Sequence, residues 1–404
     1  MKKKKQYTIL ITLLITMMIS ITFVSASSTN IKNPNSVGTS AYEDVAELPE
    51  WSLDDYWLYD MNFDFTLVGS FSIVGAIKDM ELIVSDVDEI DDEYTVSING
   101  ILDATLELFG SSGGSIKGFI TGEAHFVKST LAIKDFEFDA DGKFNYLEMK
   151  AVTTMTFDPA FDFFAFPIKS TDPPWNADTT GSISGNLELG TANIPFSVEG
   201  PFEDEVISFV AREDVTVPAG TFDSFKISGS LGNPSELWYS PDAGYLVKIH
   251  EVIDEWSGVT ATLDMPLKAT TFNNDNHRPD KPSKPTGPLK GATGVEHTYN
   301  ATATDPDGDE IYYKFYWGDG TFSSWVGPYP SGNEGSASHK WTKQGSYEIK
   351  VKVKDEHDVQ SEWSDPLSVT MPRNRAITSP FLKFLQNYPN LFPILRLLLQ
   401  RLGL

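Results

Sequence analysis

Three acids at alternate positions, Asp305, Asp307 and Asp309, are the residues of this chain best arranged for chemistry. Oxygen-rich clusters of this kind suit a hard divalent cation, calcium above all. The EF-hand pattern is not met, because Glu310 stands where that loop needs glycine and Tyr316 where it needs its last glutamate. Two readings therefore stand, a calcium site of another kind and an acidic turn between strands. The histidines, His125, His250, His277, His297, His339 and His357, show no H-x-x-x-H or H-E-x-x-H spacing. The chain has no cysteine, which removes thiolate sites, disulfides and a cysteine nucleophile. Gly110-Ser111-Ser112-Gly113-Gly114 fits the letter of a Gly-x-Ser-x-Gly elbow. Such an elbow must lead into a helix, and Ser115 to Phe119 has no helical pattern, so a plain polar loop is expected. No phosphate-binding or dinucleotide loop is present. Carboxylates are abundant enough to leave a glycoside-cleaving pair formally open, but nothing singles out two of them. No cofactor is expected beyond calcium.

Two further groups invite a ligand. Phe161, Phe163, Phe164 and Phe166 make the most aromatic stretch of the chain. It reads as a buried strand or sheet corner, with a groove for an apolar ligand as the second reading. Asn300-Ala301-Thr302 is an N-glycosylation sequon, whereas Asn233 is followed by proline and fails.

The elements that must position these residues are strands. Residues 1–26 read as an export signal: Lys2 to Lys5, an apolar run from Tyr7 to Val24, then Val24-Ser25-Ala26 for cleavage. An uncleaved membrane anchor is the alternative. Residues 27–43 form a polar spacer. From 44 to 272 the pattern is strand-like, as in Tyr94-Thr95-Val96-Ser97-Ile98, with two halves splitting near 171. Asp141-Gly142 predicts a hairpin turn between strands Ala132–Ala140 and Lys143–Met149. Ser111 to Ser115 predicts another turn. Residues 273–288, with Pro279, Pro282, Pro285 and Pro288, predict an extended linker.

Net charge is −26, and removal of Met1–Ala26 takes four lysines and no acid with it. So acidic a body disfavours nucleic acid as a partner. The absence of cysteine in an exported chain points to a prokaryotic source. At 379–404 the character changes. Ser379-Pro380 begins an amphipathic helical tail carrying Lys383, Arg396 and Arg401, which suits a membrane interface or a partner and equally a pair of helices folded onto the body. It is similar to tails of some exported archaeal proteins.

Ala303-Thr304-Asp305-Pro306-Asp307-Gly308-Asp309, Trp317-Gly318-Asp319-Gly320, His339-Lys340-Trp341 and Gly345 to Asp355 follow one another in the last third of the chain. On these motifs residues 289–372 resemble a PKD-type immunoglobulin-like domain. Tyr347, Ile349, Val351 and Val353 alternate with Glu348, Lys350, Lys352 and Lys354, as a strand with one buried face requires. One departure is Glu356-His357-Asp358, where the family has a glycine turn. The resemblance implies a β-sandwich used for spacing or adhesion and no catalysis. More weakly, Val217-Pro218-Ala219-Gly220-Thr221-Phe222 and Trp238-Tyr239-Ser240-Pro241 to Gly244 resemble turns of lipoprotein-carrier-like β-sheet domains.

The fold class expected is all-β: a large antiparallel sheet or half-barrel, then a sandwich, then a short helical tail. The function expected is that of an extracytoplasmic, non-enzymatic surface protein for binding, scaffolding or adhesion. Its partners would be an envelope component, a surface protein or a glycan. A carrier of a hydrophobic or lipid ligand is the alternative, and a glycoside-acting enzyme a distant third.

Overall fold

The computed structural model describes residues 45–371 apart from 68–70, 109–110, 146, 163, 165, 170–172, 177–178, 203–205, 230–234, 257–258 and 273–275. The export segment, the spacer and the expected helical tail lie outside the described residues, as does Phe163. Among the described residues every regular element is a β-strand. They fall into two compact units, 45–278 with His357–Val359, and Pro279–Glu356 with 360–371.

The first unit contains β1 (Val45–Ala46), β2 (Tyr56–Leu67), β3 (Phe71–Asp88), β4 (Glu93–Leu108), β5 (Ser111–Val127), β6 (Ile133–Phe144), β7 (Leu147–Phe161) and β8 (Ile168–Lys169). It continues with β9 (Trp175–Asn176), β10 (Thr179–Leu189), β11 (Ala192–Phe202), β12 (Val206–Val217), β13 (Gly220–Gly229), β14 (Ser235–Ser240), β15 (Tyr245–Trp256) and β16 (Val259–Thr270). Fourteen of them make one antiparallel sheet, in the order β11-β10-β7-β6-β5-β4-β3-β2-β16-β15-β14-β13-β12-β9. Two meanders are thus joined where β2 pairs with β16. This pairing makes the region one compact unit rather than two halves split near 171.

The order forces the sheet to curl. Strands β11 and β12 stand near opposite ends of it, about 58 Å apart if it were flat at roughly 4.8 Å per strand. Yet Phe202 and Val206 are four residues apart in the chain, a reach of at most about 14 Å. The sheet therefore bends until its ends approach each other. One face becomes an interior, and the alternation along β4 shows which: Tyr94, Val96, Ile98, Leu102, Ala104 and Leu106 are buried, their neighbours more exposed.

Curling also explains where the glycines lie. Interior cross-strand pairs set large against small: Ile98 faces Gly122, Gly100 faces Ile120 and Leu102 faces Gly118. Gly142 then pairs with Gly118, and a Cβ on it would meet Lys117 O at 2.3 Å. Asp141-Gly142 is accordingly not the expected turn but the middle of a paired strand. The reversal comes between Phe144 and Leu147, where Asn145 takes the left-handed conformation (φ 58°) and its side chain accepts a hydrogen bond from Ser115 N. The expected loop at Ser111 to Ser115 is likewise strand, paired with β4 from Leu108 to Thr105. In both places glycine was needed for close backbone approach rather than for turning the chain.

One end of the interior is closed by aromatic rings. Trp51, on the segment before β2, has ring centroids 5.1–5.4 Å from those of Trp57, Tyr94, Phe126 and Tyr245. Its indole N–H donates to Gly244 O at 2.9 Å, and that of Trp57 to Ala243 O at 2.6 Å. The Pro241 to Gly244 turn is thus tied to the start of β2. On the outer face, partly buried Lys268 lies between Asp79 (2.8 Å) and Asp60 (3.1 Å). Burial alone would lower its pKa, but the two carboxylates outweigh that and raise it.

The second unit contains β17 (His297–Thr302), β18 (Ile311–Tyr316), β19 (Val326–Tyr329), β20 (Glu334–His339), β21 (Gly345–Lys354) and β22 (Leu367–Met371). Strands β17 and β20 form one sheet, and β19-β18-β21-β22 the other. Tyr299, Tyr313, Phe315, Trp317, Trp341, Ile349, Val351 and Val353 fill the space between. Residues 279–288 belong to this unit and are not a free linker. Asp280 N donates to Thr304 O, Ser283 N to Thr302 O and Thr286 N to Asn300 O, each at 2.8 Å. Prolines at 282 and 285 alternate with these donors, so none of the bonds is lost.

Candidate functional site

The acid cluster sits on the connection from β17 to β18. Asp305 is 6% exposed. Its Oδ1 accepts the backbone N–H groups of Asp307 (3.0 Å) and Asp309 (3.1 Å), and Gly308 N donates to Asp305 O, so the loop wraps around this one carboxylate. Asp305 N donates in turn to Ser331 Oγ at 2.8 Å. The other oxygen, Asp305 Oδ2, is buried with no hydrogen-bond partner. Burial holds the Asp305 carboxyl above the usual range, against the two amides that pull it down. Carboxylate oxygens of Asp305, Asp307 and Asp309 all lie within 4.8 Å of one another. An unpartnered buried oxygen beside two more carboxylates is costly alone and well suited to a cation.

The Trp-Gly-Asp-Gly turn is structural. Gly318 has φ 76°, and a Cβ there would meet Glu348 N at 2.5 Å, so only glycine lets the turn lie against β21. Asp319 Oδ1 accepts from Thr321 N and Oγ1, while Asp319 Oδ2 lies 2.9 Å from His339 Nε2. The His339 ring stacks on Trp317 at 4.9 Å and 7°, and Trp341 donates to Trp317 O. This His–Asp pair braces a core tryptophan. Sequence spacing hid it, since Asp319 lies in the turn after β18 and His339 at the end of β20, 20 residues on. In the turn that lacks the family glycine, Asp358 takes the positive φ itself (69°), as short polar side chains can.

The outer face of the four-stranded sheet alternates lysines with aromatic rings. Tyr312, Lys314 and Tyr316 on β18 lie directly across from Lys354, Lys352 and Lys350 on β21. Lys314 packs over the rings of Phe322 (5.5 Å) and Trp325 (5.2 Å), Lys354 over Tyr312 and Trp325 (both 5.4 Å), and Lys352 over Trp363 (5.1 Å). Lys352 was expected to face solvent from its parity, but Trp363 covers it and it is only 4% exposed. Two serines make this possible. Ser361 Oγ accepts from Val353 N and Ser364 Oγ from Val351 N, so the segment carrying Trp363 runs along β21 like an extra strand. The alternation Tyr-Lys-Tyr on β18 was the signal available in the sequence.

Of the phenylalanines, Phe161 and Phe164 are buried in the core. Phe161 stacks on Phe157 at 5.5 Å, and Phe164 lies 5.2 Å from partly buried Phe166 and 5.4 Å from Tyr239. Asn300 lies within β17, partly exposed, its backbone paired to Ser336 on one side and Thr286 on the other.

Residues 279–371 match the PKD domain family. Among solved structures, the chain is similar to the PKD domain of M14-like peptidase from Thermoplasmatales archaeon SCGC AB-540-F20, at 44% identity. That likeness covers 24% of this chain and 98% of the other, with a TM-score of 0.23. No curated protein matches. The chain is therefore an all-β protein that carries a PKD domain after a large antiparallel sheet.

Proposed function

We propose that this protein is an extracytoplasmic, non-catalytic scaffold or binding protein of the cell surface, exported by residues 1–26 and held at the envelope by residues 379–404. The observation that carries the reading is the PKD domain at 279–371, a module that suggests surface binding or spacing. The large sheet supports it: Trp51, Trp57, Tyr94, Phe126, Phe161, Phe164 and Tyr239 belong to one buried core cluster, which favours a packed interior over a carrier. Calcium held by Asp305, Asp307 and Asp309 completes the proposal, since it neutralises the buried Asp305 oxygen and stiffens the start of the module.

Intact cells treated with a membrane-impermeant amine reagent test the placement. Lysines of both units should be labelled without lysis. Labelling only after lysis refutes the surface location. Organic extraction of the purified protein tests the interior, and a stoichiometric apolar molecule in the extract would turn the reading to a carrier.

A further inference from the structure

The large sheet ends in two edges, and the sequence treats them differently. On β11, the turn Gly190-Thr191 closes on the pair Leu189 and Ala192. By alternation the backbone nitrogens of residues 193, 195, 197, 199 and 201 then point away from β10. Pro195 and Pro201 stand at two of these places, and proline has no N–H to offer another strand. That edge is shut.

The edge at β12 has no proline guard. β12 pairs with β13 from Ile207 to Val217, but on its outer side only Val206 and Ile207 have a partner, in β9. The turn Pro218-Ala219 closes on Val217 and Gly220, so Asp214 and Thr216 turn their backbone groups outward. Among the described residues no strand meets them. Val210, at the bulge in the same strand, is 51% exposed. The charges beside it are used within the sheet: Arg212 pairs with Asp223, and Glu213 accepts from the Trp238 indole. An outer edge of this kind draws other strands unless something covers it.

The chain enters the described fold beside this edge. Val45 and Ala46 pair with β8, and Glu47 O accepts from Tyr239 Oη at 3.4 Å. Tyr239 is in register with Phe225, and Phe225 with Arg212, so the entry lies two strands, about 10 Å, from the outer side of β12. Residues 27–44, just upstream, reach up to about 60 Å when extended, against about 33 Å for Ser208 to Val217. Within them Ser36 to Tyr42 has neither proline nor charge, and Val37, Thr39 and Ala41 share one strand face. This run is as long as Ala211 to Val217, the part of β12 beyond its bulge.

We propose that residues 36–42 add to the outer edge of β12 as a further strand, so that the chain covers with its own N-terminal segment the edge that no proline guards. The proposal goes beyond the scaffold reading and does not depend on it.

The absence of cysteine makes cross-linking in the full chain a direct test. Thr216→Cys is combined in turn with each single substitution from Ser36→Cys to Tyr42→Cys. Disulfides within one chain should form from alternate positions only, because successive side chains of a strand point to opposite faces. Hydrogen exchange gives the second readout. Gly38→Pro with Thr39→Pro removes an edge-facing donor whichever of the two faces β12. It should speed exchange of the Asp214 and Thr216 amides about tenfold or more and leave β13 and β14 unchanged. A variant that misfolds would lose protection throughout, whereas the proposal requires a loss confined to β12. Absence of a cross-link from every position overturns the proposal, and so does equal exchange in the two proteins. Cross-links only between chains, or protection that grows with protein concentration, also overturn it, by showing a second copy on the edge.

Discussion

The Asp305→Asn substitution should act on the PKD domain in opposite senses without and with calcium, neutral or stabilising in the first case and destabilising relative to wild type in the second. The reason lies in the two oxygens of Asp305. Oδ1 accepts the amides of Asp307 and Asp309, and the amide oxygen of asparagine can do the same. Oδ2 is buried without a partner, beside two more carboxylates. Without metal, Asp305→Asn therefore removes a poorly compensated charge and keeps the turn, so it should leave stability unchanged or raise it. With metal, it removes a ligand. Extracellular calcium modules bind with dissociation constants of about 0.1–1 mM, so 10 mM calcium should stabilise the wild type by about 1.4–2.7 kcal/mol. For a domain of this size that raises Tm by roughly 6–20 °C. Calorimetric scans of the full chain in chelator and in 10 mM calcium read both effects. Calcium should raise the transition of the second unit in the wild type and not in Asp305→Asn, and magnesium should do far less. The reasoning is refuted if calcium shifts neither protein and Asp305→Asn is the less stable one in chelator.

Two other outcomes follow from the first unit. Trp51→Ala should destabilise it by about 3–5 kcal/mol, the cost of emptying a buried indole site whose ring meets four others, with loss of near-ultraviolet dichroism at that end; a change under about 1 kcal/mol in urea unfolding would falsify its role as the closing ring. Lys268→Met leaves Asp60 and Asp79 facing each other and should cost about 1–3 kcal/mol at pH 7. Because the folded pKa of Lys268 is raised, its contribution is present at neutral pH and is lost as pH rises past the ordinary lysine value of 10.5, so the gap between wild type and variant should narrow in alkali.

Local pattern determined much of this protein. Alternation along β4 and β21 showed which residues are strand and, Lys352 apart, which face is buried, because side chains of a strand point to opposite faces in turn. The PKD motif residues, from Asp305 to Asp309 and from Trp317 to Gly320, were legible because each turn needs its own side chains and glycines within a few positions. The two turns at Pro218-Ala219 and Pro241 to Gly244 were legible for the same reason.

Tertiary structure alone decided the rest, wherever the controlling neighbour is distant in sequence. Gly142 looks like a turn residue until Gly118 is known to lie against it, and the true turn passes to Asn145. Lys352 reads as a solvent lysine until Trp363 is laid over it by the bonds of Ser361 and Ser364. Proline spacing at 279–288 reads as a spacer until Thr302, Thr304 and Asn300 are seen to accept its amides. The curl of the large sheet follows from the pairing of β2 with β16 and the short step from β11 to β12. No single segment encodes that pairing, because its register is a choice among strands of similar pattern, settled only when one interior is filled.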